Sequence, residues 1–332
     1  MDEPGVGAAQ RLLRRADSVQ HRHAVLAFPV ATLKKFGDDR AGQLAALIAY
    51  YGFFSLFPLL LVFVTVVAIV VQDDLGLRRR LIDSAVDQFP VVGEEIRESV
   101  KGLAGSPVTL IIGVAGALWT GTAVVTAAQH AMDEVWDVPP AERPPFLVRA
   151  LRALLLLVVF GGGIVVSAVL AGLGETTGPA GAVLRVVSIA GLMLISFALF
   201  AIAYRLLTVA QIRWRDVLPG SAAGAVAWTV LLMLGTWLVD QQIRNARQAY
   251  GAFFAIVVGL LTWIYLAAQV FVLSAEVNVV KARRLWPRSF ADPPLEETDR
   301  RVLAAQAKEE RALPDERIDV RFGERPLDGE ER

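Results

Sequence analysis

The chain has 332 residues, of which 55% are hydrophobic and only 20% charged, and its 33 Lys and Arg balance 33 Asp and Glu. That neutral balance excludes the concentrated basic surface that nucleic-acid binding needs. The absence of cysteine excludes a disulfide framework, a thiolate nucleophile and a cysteine metal site.

The charges are crowded into patches, and the intervals 41–72, 102–132, 153–174, 186–204, 217–239 and 248–275 contain none. At about 1.5 Å of helical rise per residue, each is about long enough to cross the ~30 Å hydrocarbon layer of a bilayer. The expected fold is therefore all-α: a polytopic integral membrane protein with six transmembrane helices. Its expected parts are a cytoplasmic segment 1–40, a membrane domain 41–284 with spans near 44–71, 108–128, 147–173, 182–204, 217–239 and 252–280, and a charged, mostly disordered cytoplasmic tail 285–332.

Residues 1–40 are polar, contain RLLRR at 11–15 and LKKF at 33–36, and lack the apolar core of a secretory signal, so the first span is expected to act as the insertion signal. Leu26, Phe28, Val30, Leu33 and Phe36 recur at a spacing that suits a helix lying on the membrane surface. Lys34 and Lys35 would then point to lipid headgroups, and Pro29 interrupts the pattern. The first span is apolar on every face, which suits lipid rather than a soluble core. Pro58 near its middle frees the carbonyl of Phe54 and predicts a kink, with Ser55 and Gly52 placed to satisfy the loosened backbone. The connection 73–107 repeats apolar residues at helical spacing and predicts two short amphipathic helices.

The second span carries Gly113, Gly116 and Gly121, small residues that let neighbouring backbones approach. It runs on into QHAMDEVWDV at 129–138, where Gln129, His130, Asp133 and Glu134 share one side of a helix and are expected to form a wet helix end. Gly161, Gly162 and Gly163 mark a bend or tight crossing in the third span, and Gly220 and Gly224 form a GxxxG at the start of the fifth. A further helix is expected near 296–312. Lys and Arg are in excess in the segments that share the N-terminus's side, so the positive-inside rule puts both termini in the cytoplasm.

Few residues suggest chemistry. The His21–His23 pair lacks further metal ligands nearby, and no nucleophile elbow, P-loop or dinucleotide fingerprint is present. No catalytic residue, metal or other cofactor is expected. Glu276 sits near the C-terminal end of the sixth span, where the helix dipole disfavours an anion. A compensating Arg205 is expected, in a cytoplasmic polar cluster of Arg205, Asp216, Glu276 and Asn278 that staples helices or carries a proton or substrate. On the outer side, Asp240, Arg244 and Tyr250 form a second candidate cluster in a surface loop.

Four stretches, AYYGFFSLFPLLLVF (49–63), WTGTAVVTAAQHAMDEVWDV (119–138), RWRDVLPGSAAGAVAW (213–228) and YGAFFAIVVGLLTWIYLAAQVFVLSAEVN (250–278), together resemble the YihY/BrkB family of bacterial inner-membrane proteins. The resemblance covers about 40–280 and implies six spans in the cytoplasmic membrane and a role in the cell envelope. Some members have carried a ribonuclease label, which this chain does not support: three scattered histidines cannot build the His/Asp metal cluster of such a nuclease. The expected function is transport or organisation of an envelope lipid or amphiphile; the alternative is a non-transporting scaffold acting through its cytoplasmic tail. Expected partners are membrane lipids and a further copy of the chain or other envelope proteins, not nucleic acid.

Overall fold

The computed structural model describes residues 24–70, 107–174, 181–209, 212–250, 252–289 and 295–322, and these are all-helical. In chain order the helices are α1 (Ala24–Asp38), α2 (Ala41–Val70), α3 (Pro107–Val135), α4 (Phe146–Gly174), α5 (Gly181–Leu207), α6 (Trp214–Tyr250), α7 (Ala252–Arg283) and α8 (Glu297–Glu309), with a single 3-10 turn at Pro140–Glu142. The helices expected in 73–107, the RLLRR stretch, His21 and His23 lie outside the described residues.

Stretches of α2, α3, α4, α5 and α7 are long and apolar enough to cross a membrane. The expected span 217–239 falls inside α6, which has 37 residues and so reaches about 55 Å. This helix continues beyond Val239 because Asp240 to Tyr250 contain no proline or glycine to stop it. Asp240, Arg244 and Tyr250 therefore stand on a helix and not in the expected loop, and their side chains lie outside the described residues.

Helices α6 and α7 pack along each other, as do α2 and α3, and α7 also lies against α2. Glycines seat the closest crossings. Gly220 faces the Ser274 carbonyl of α7, and Gly224, one turn on, faces Phe200 of α5, so the GxxxG serves two neighbours at once. Of the glycine triplet, Gly163 meets Leu199 of α5 while Gly161 and Gly162 face open space. Helix α2 runs unbroken through Pro58, which nests over Gly116 of α3, and the Ser55 hydroxyl donates to the Gly52 carbonyl at 2.7 Å.

Burial is uneven along the bundle. Trp119 is 79% exposed and Val158 73%, as suits side chains solvated by acyl chains, whereas Met132, Val135, Tyr204, Val272 and Val279 toward the opposite ends of their helices are fully buried. The densest core thus lies where the charges begin. Helix α1 closes this end by burying Ala27, Ala31, Thr32 and Lys35, and Phe28 meets Trp286 edge-on at 5.3 Å. The expected exposure of Lys34 and Lys35 to headgroups is corrected here: Lys35 is wholly buried, and Lys34 reaches inward to the Ser289 carbonyl at 2.6 Å.

Candidate functional site

The polar end is built from helix termini. After α3 the chain turns at Asp137, whose φ of 48° is left-handed. The Val138 N–H donates to the Asp133 carbonyl at 2.8 Å and the Asp137 N–H to the Glu134 carbonyl at 2.9 Å. This is the Schellman arrangement, here with Asp where glycine is usual. Arg284, with φ 54°, ends α7 in the same conformation, and the Leu285 N–H donates back to Val280 at 3.0 Å. Non-glycine residues in this region are uncommon, and these two caps direct Asp137 and Arg283 toward each other.

Lys35 occupies the centre. Its ammonium donates to Asp39, one helical turn on, to the Val135 carbonyl at 3.3 Å and to Asp137 Oδ1 at 3.4 Å. Asp137 also accepts from Arg283, which lies over the Trp136 ring at 5.9 Å. Burial pulls the Lys35 ammonium down, but Glu276, Asp39 and Asp137 together hold it above its ordinary value. Burial pushes the Asp39 carboxyl up, against the pull of Lys35.

A second group surrounds the last turns of α3. Arg149 Nη2 donates to Asp133 Oδ2 at 3.0 Å and Nε to Gln129 Oε1 at 3.2 Å, while Gln129 Nε2 returns a bond to the Arg149 carbonyl at 3.1 Å. Arg143 Nη2 donates to Glu134 at 3.1 Å and to Glu309 of α8 at 3.3 Å, and its Nη1 lies 3.3 Å from His130 Nδ1. The segment expected as a wet helix end is thus divided: Gln129 and Asp133 are buried, and His130 and Glu134 keep partial exposure.

The expected cytoplasmic cluster is not one unit. Glu276 is wholly buried and the charges acting on it are Lys35, Asp39 and Asp137, not Arg205. Asn278, two residues on, points the other way and accepts from the Gly220 N–H at 2.6 Å, tying α7 to α6. Asp216 accepts from the Arg213 N–H at 2.9 Å, capping the start of α6. Asp39, Asp137 and Arg283 were not singled out by sequence, and Lys35 and Asp133 were read in other roles, although Lys35–Asp39 and Asp133–Asp137 each stand at i, i+4. Among the described residues no three His, Asp or Glu side chains gather as metal ligands.

Among the cavities at this end of the described residues, two are large. One, of about 400 Å³, is polar and is walled by Asp38, Asp39, Glu134, Arg143, Gln306 and Glu309. The other, of about 290 Å³, is apolar and lies between the five spanning helices. Ser55 of α2, Gly121 and Val124 of α3, Phe160 of α4, Leu207 of α5 and Phe271 of α7 line it.

Comparison with known proteins agrees with this architecture. A family model described as "Virulence factor BrkB" matches residues 32–297. The inner membrane protein YhjD of Escherichia coli (strain K12) is 21% identical over 285 residues, covering 79% of this chain and 82% of YhjD. A protein named as ribonuclease-like, YfkH of Bacillus subtilis (strain 168), is 23% identical over 262 residues, covering 75% of this chain and 91% of YfkH. No solved structure matches the chain.

Proposed function

Since the chain belongs to the BrkB virulence-factor family, we propose that it transports or organises a lipid or other amphiphile of the cell envelope from within the cytoplasmic membrane. The observation that carries this reading is the apolar cavity of about 290 Å³, to which each of the five spans contributes. Its lining is apolar apart from Ser55, it lies among membrane-spanning helices, and its lower wall at Ala128 and Leu156 adjoins Gln129 and Arg149. An acyl chain suits such a lining, and a polar headgroup suits the charged end beside it.

On this reading α6 is the sixth span. Its charge-free interval 217–239 reaches about 34 Å, and its Trp228 packs near Trp263 of α7, 6.5 Å between ring centres. Both termini then lie in the cytoplasm with the excess of basic residues. The partners are membrane lipids, with a second copy of the chain or other envelope proteins as further candidates. The ribonuclease-like name of YfkH is not carried over, for want of a histidine cluster.

The test is photo-crosslinking with a phospholipid bearing a diazirine in one acyl chain, using the full chain in nanodiscs. Labelling is expected at Val124 and the buried Leu156, and Gly121→Leu, which fills the cavity, is expected to abolish it. Labelling confined to exposed residues such as Trp119 counts against the reading. The alternative, a scaffold acting through its tail, draws on the docked α8. Removing residues 311–332, which leaves α8 intact, spares a transporter and disables a scaffold that recruits through the extreme tail.

A further inference from the structure

Glu276 is the anomaly of the polar end. It is 0% exposed, and neither carboxylate oxygen receives a hydrogen bond within the described residues. An ionised carboxylate in that position forgoes its hydration without replacement, which costs far more than any single hydrogen bond returns. Something besides the surrounding side chains must satisfy it.

The charges facing it say what. Lys35 comes from α1, Asp39 from the turn into α2, and Asp137 from the cap of α3, while Arg283 of α7 takes the second oxygen of Asp137. From α8 the neutral Gln306 amide donates to Asp39 Oδ1 at 3.0 Å, and Glu309 adds a carboxyl that acts on Asp137. Arg301, beside Asp137 and Arg283, is exposed and paired with Glu297. At Glu276 itself two cations therefore meet three carboxyl groups, and with every group ionised one negative charge is left over in a buried site. Lys35 does not worsen the excess by releasing its proton, because the three carboxylates hold its ammonium in place. The excess is removed by adding one positive charge.

The route for that charge is visible. Asp39 faces Glu276 on one side and on the other forms part of the wall of the polar cavity of about 400 Å³. We propose that Asp39 and Glu276 hold one exchangeable proton between them, delivered from the polar cavity to Asp39 and passed inward to Glu276. The protein then carries a buried proton-binding site one helix face away from the contact between α6 and α7 at Asn278. Protonation of Glu276 removes its pull on Lys35 and so weakens the hold of α1 on α7. This inference stands apart from the transport reading, since an equilibrium proton site is equally compatible with a scaffold.

The experiment is infrared difference spectroscopy of the full chain in nanodiscs during a pH titration, reading the carbonyl stretch of protonated carboxyl groups. With Glu309 replaced by Gln, so that its own proton does not contribute, the chain is expected to show one such band at neutral pH that shifts on exchange into deuterated water, and the further variants carry the same change. Glu276→Gln, an isostere that itself removes the surplus charge, is expected to lose the band. Asp39→Asn, which also removes one carboxylate and with it the surplus charge, is expected to lose the band as well, because Glu276 then no longer needs the shared proton. Lys35→Met, which deletes a cation, is expected to add a second band. A Glu309→Gln protein with no protonated carboxyl at neutral pH overturns the proposal without reference to any other variant. So does a band that persists unchanged in Glu276→Gln, or one that added sodium displaces, which would make a metal cation the occupant. Failure of lipid photo-crosslinking leaves these readouts untouched, so the two proposals fall separately.

Discussion

Arg288 Nε donates to Asp299 Oδ1 at 2.6 Å, with the two side chains 2% and 1% exposed. Lys34 reaches the same oxygen at 3.0 Å, and the Ser289 N–H donates to the other at 3.0 Å. One carboxylate in the first turn of α8 thus binds α1 and the segment that follows α7. Burial pushes the Asp299 carboxyl up, but the hydrogen bonds from Arg288, Ser289 and Lys34 outweigh it and hold the group below its ordinary value. A depressed carboxyl stabilises above its unfolded pKa, about 3.9 for Asp, and that stabilisation is lost as pH falls through the folded value. Removing one partner of a buried pair costs about 3–5 kcal/mol, so Asp299→Asn is expected to speed amide exchange in α8 by about two powers of ten or more at neutral pH. The difference from wild type should vanish in acid. Equal effects at both pH values would show that Asp299 holds α8 without its charge.

The other end of α8 is expected to respond in the opposite sense. Burial, and then the neighbouring Glu134 carboxylate, push Glu309 up to about 8 despite Arg143 beside it. The docked helix therefore binds the proton more tightly than the released one, in which Glu titrates near 4.3. Between those values docking weakens steadily as pH rises, and above the upper one it levels off. Exchange at Lys308 and Glu309 is expected to accelerate from pH 6 to pH 9 beyond the intrinsic rate, and Glu309→Gln should flatten the profile. A profile unchanged by that substitution would assign the pH response to another group.

Gly220 provides a test of packing alone. A Cβ there would fall onto the Ser274 carbonyl and the Asn278 side chain, both on α7. Gly220→Ala must push α6 away or strain the Gly220–Asn278 bond, and overpacking of this kind costs about 1–3 kcal/mol. Gly161→Ala meets nothing within 4 Å and should be neutral or slightly stabilising, since alanine is the better helix former by up to ~1 kcal/mol. Thermal unfolding of both variants in one detergent distinguishes them; similar midpoints would mean that α6 and α7 are not held together at this crossing.

The helices themselves were legible because a run without charges must avoid water whatever its neighbours do. The expected spans 147–173 and 252–280 differ little from α4 and α7, whose observed bounds are Phe146–Gly174 and Ala252–Arg283. Where the reading fell short, charge was mistaken for the end of a helix: α6 continues through Asp240 to Tyr250. Partners were less legible still. Glu276 demanded a cation, and Arg205 was chosen because it flanks a span on the same side, whereas Lys35 had been assigned to headgroups from its place on an amphipathic stretch. Which way α1 rolls is decided by Ala27, Ala31 and Thr32 fitting against the bundle, and local periodicity carries no record of a surface that another segment supplies. The same holds for Lys34 and Asp299, which lie 265 residues apart in the chain.

Asp137 allows charge to be separated from backbone conformation. Its left-handed φ is one that asparagine also adopts readily, so Asp137→Asn keeps the cap of α3 while taking the carboxylate from Lys35 and Arg283. Lys35 is fully buried and Asp137 nearly so, and breaking such a pair is expected to cost about 3–5 kcal/mol. Asp137→Gly removes the carboxylate too but relieves the strained φ, worth about 1 kcal/mol at a left-handed position, so it should fall slightly less far. Chemical unfolding of the three proteins in the same detergent gives the order wild type, then glycine, then asparagine. Should the glycine variant match wild type, the cap and not the ion pair is what Asp137 contributes, and Lys35 must draw its compensation from Asp39 and Glu276.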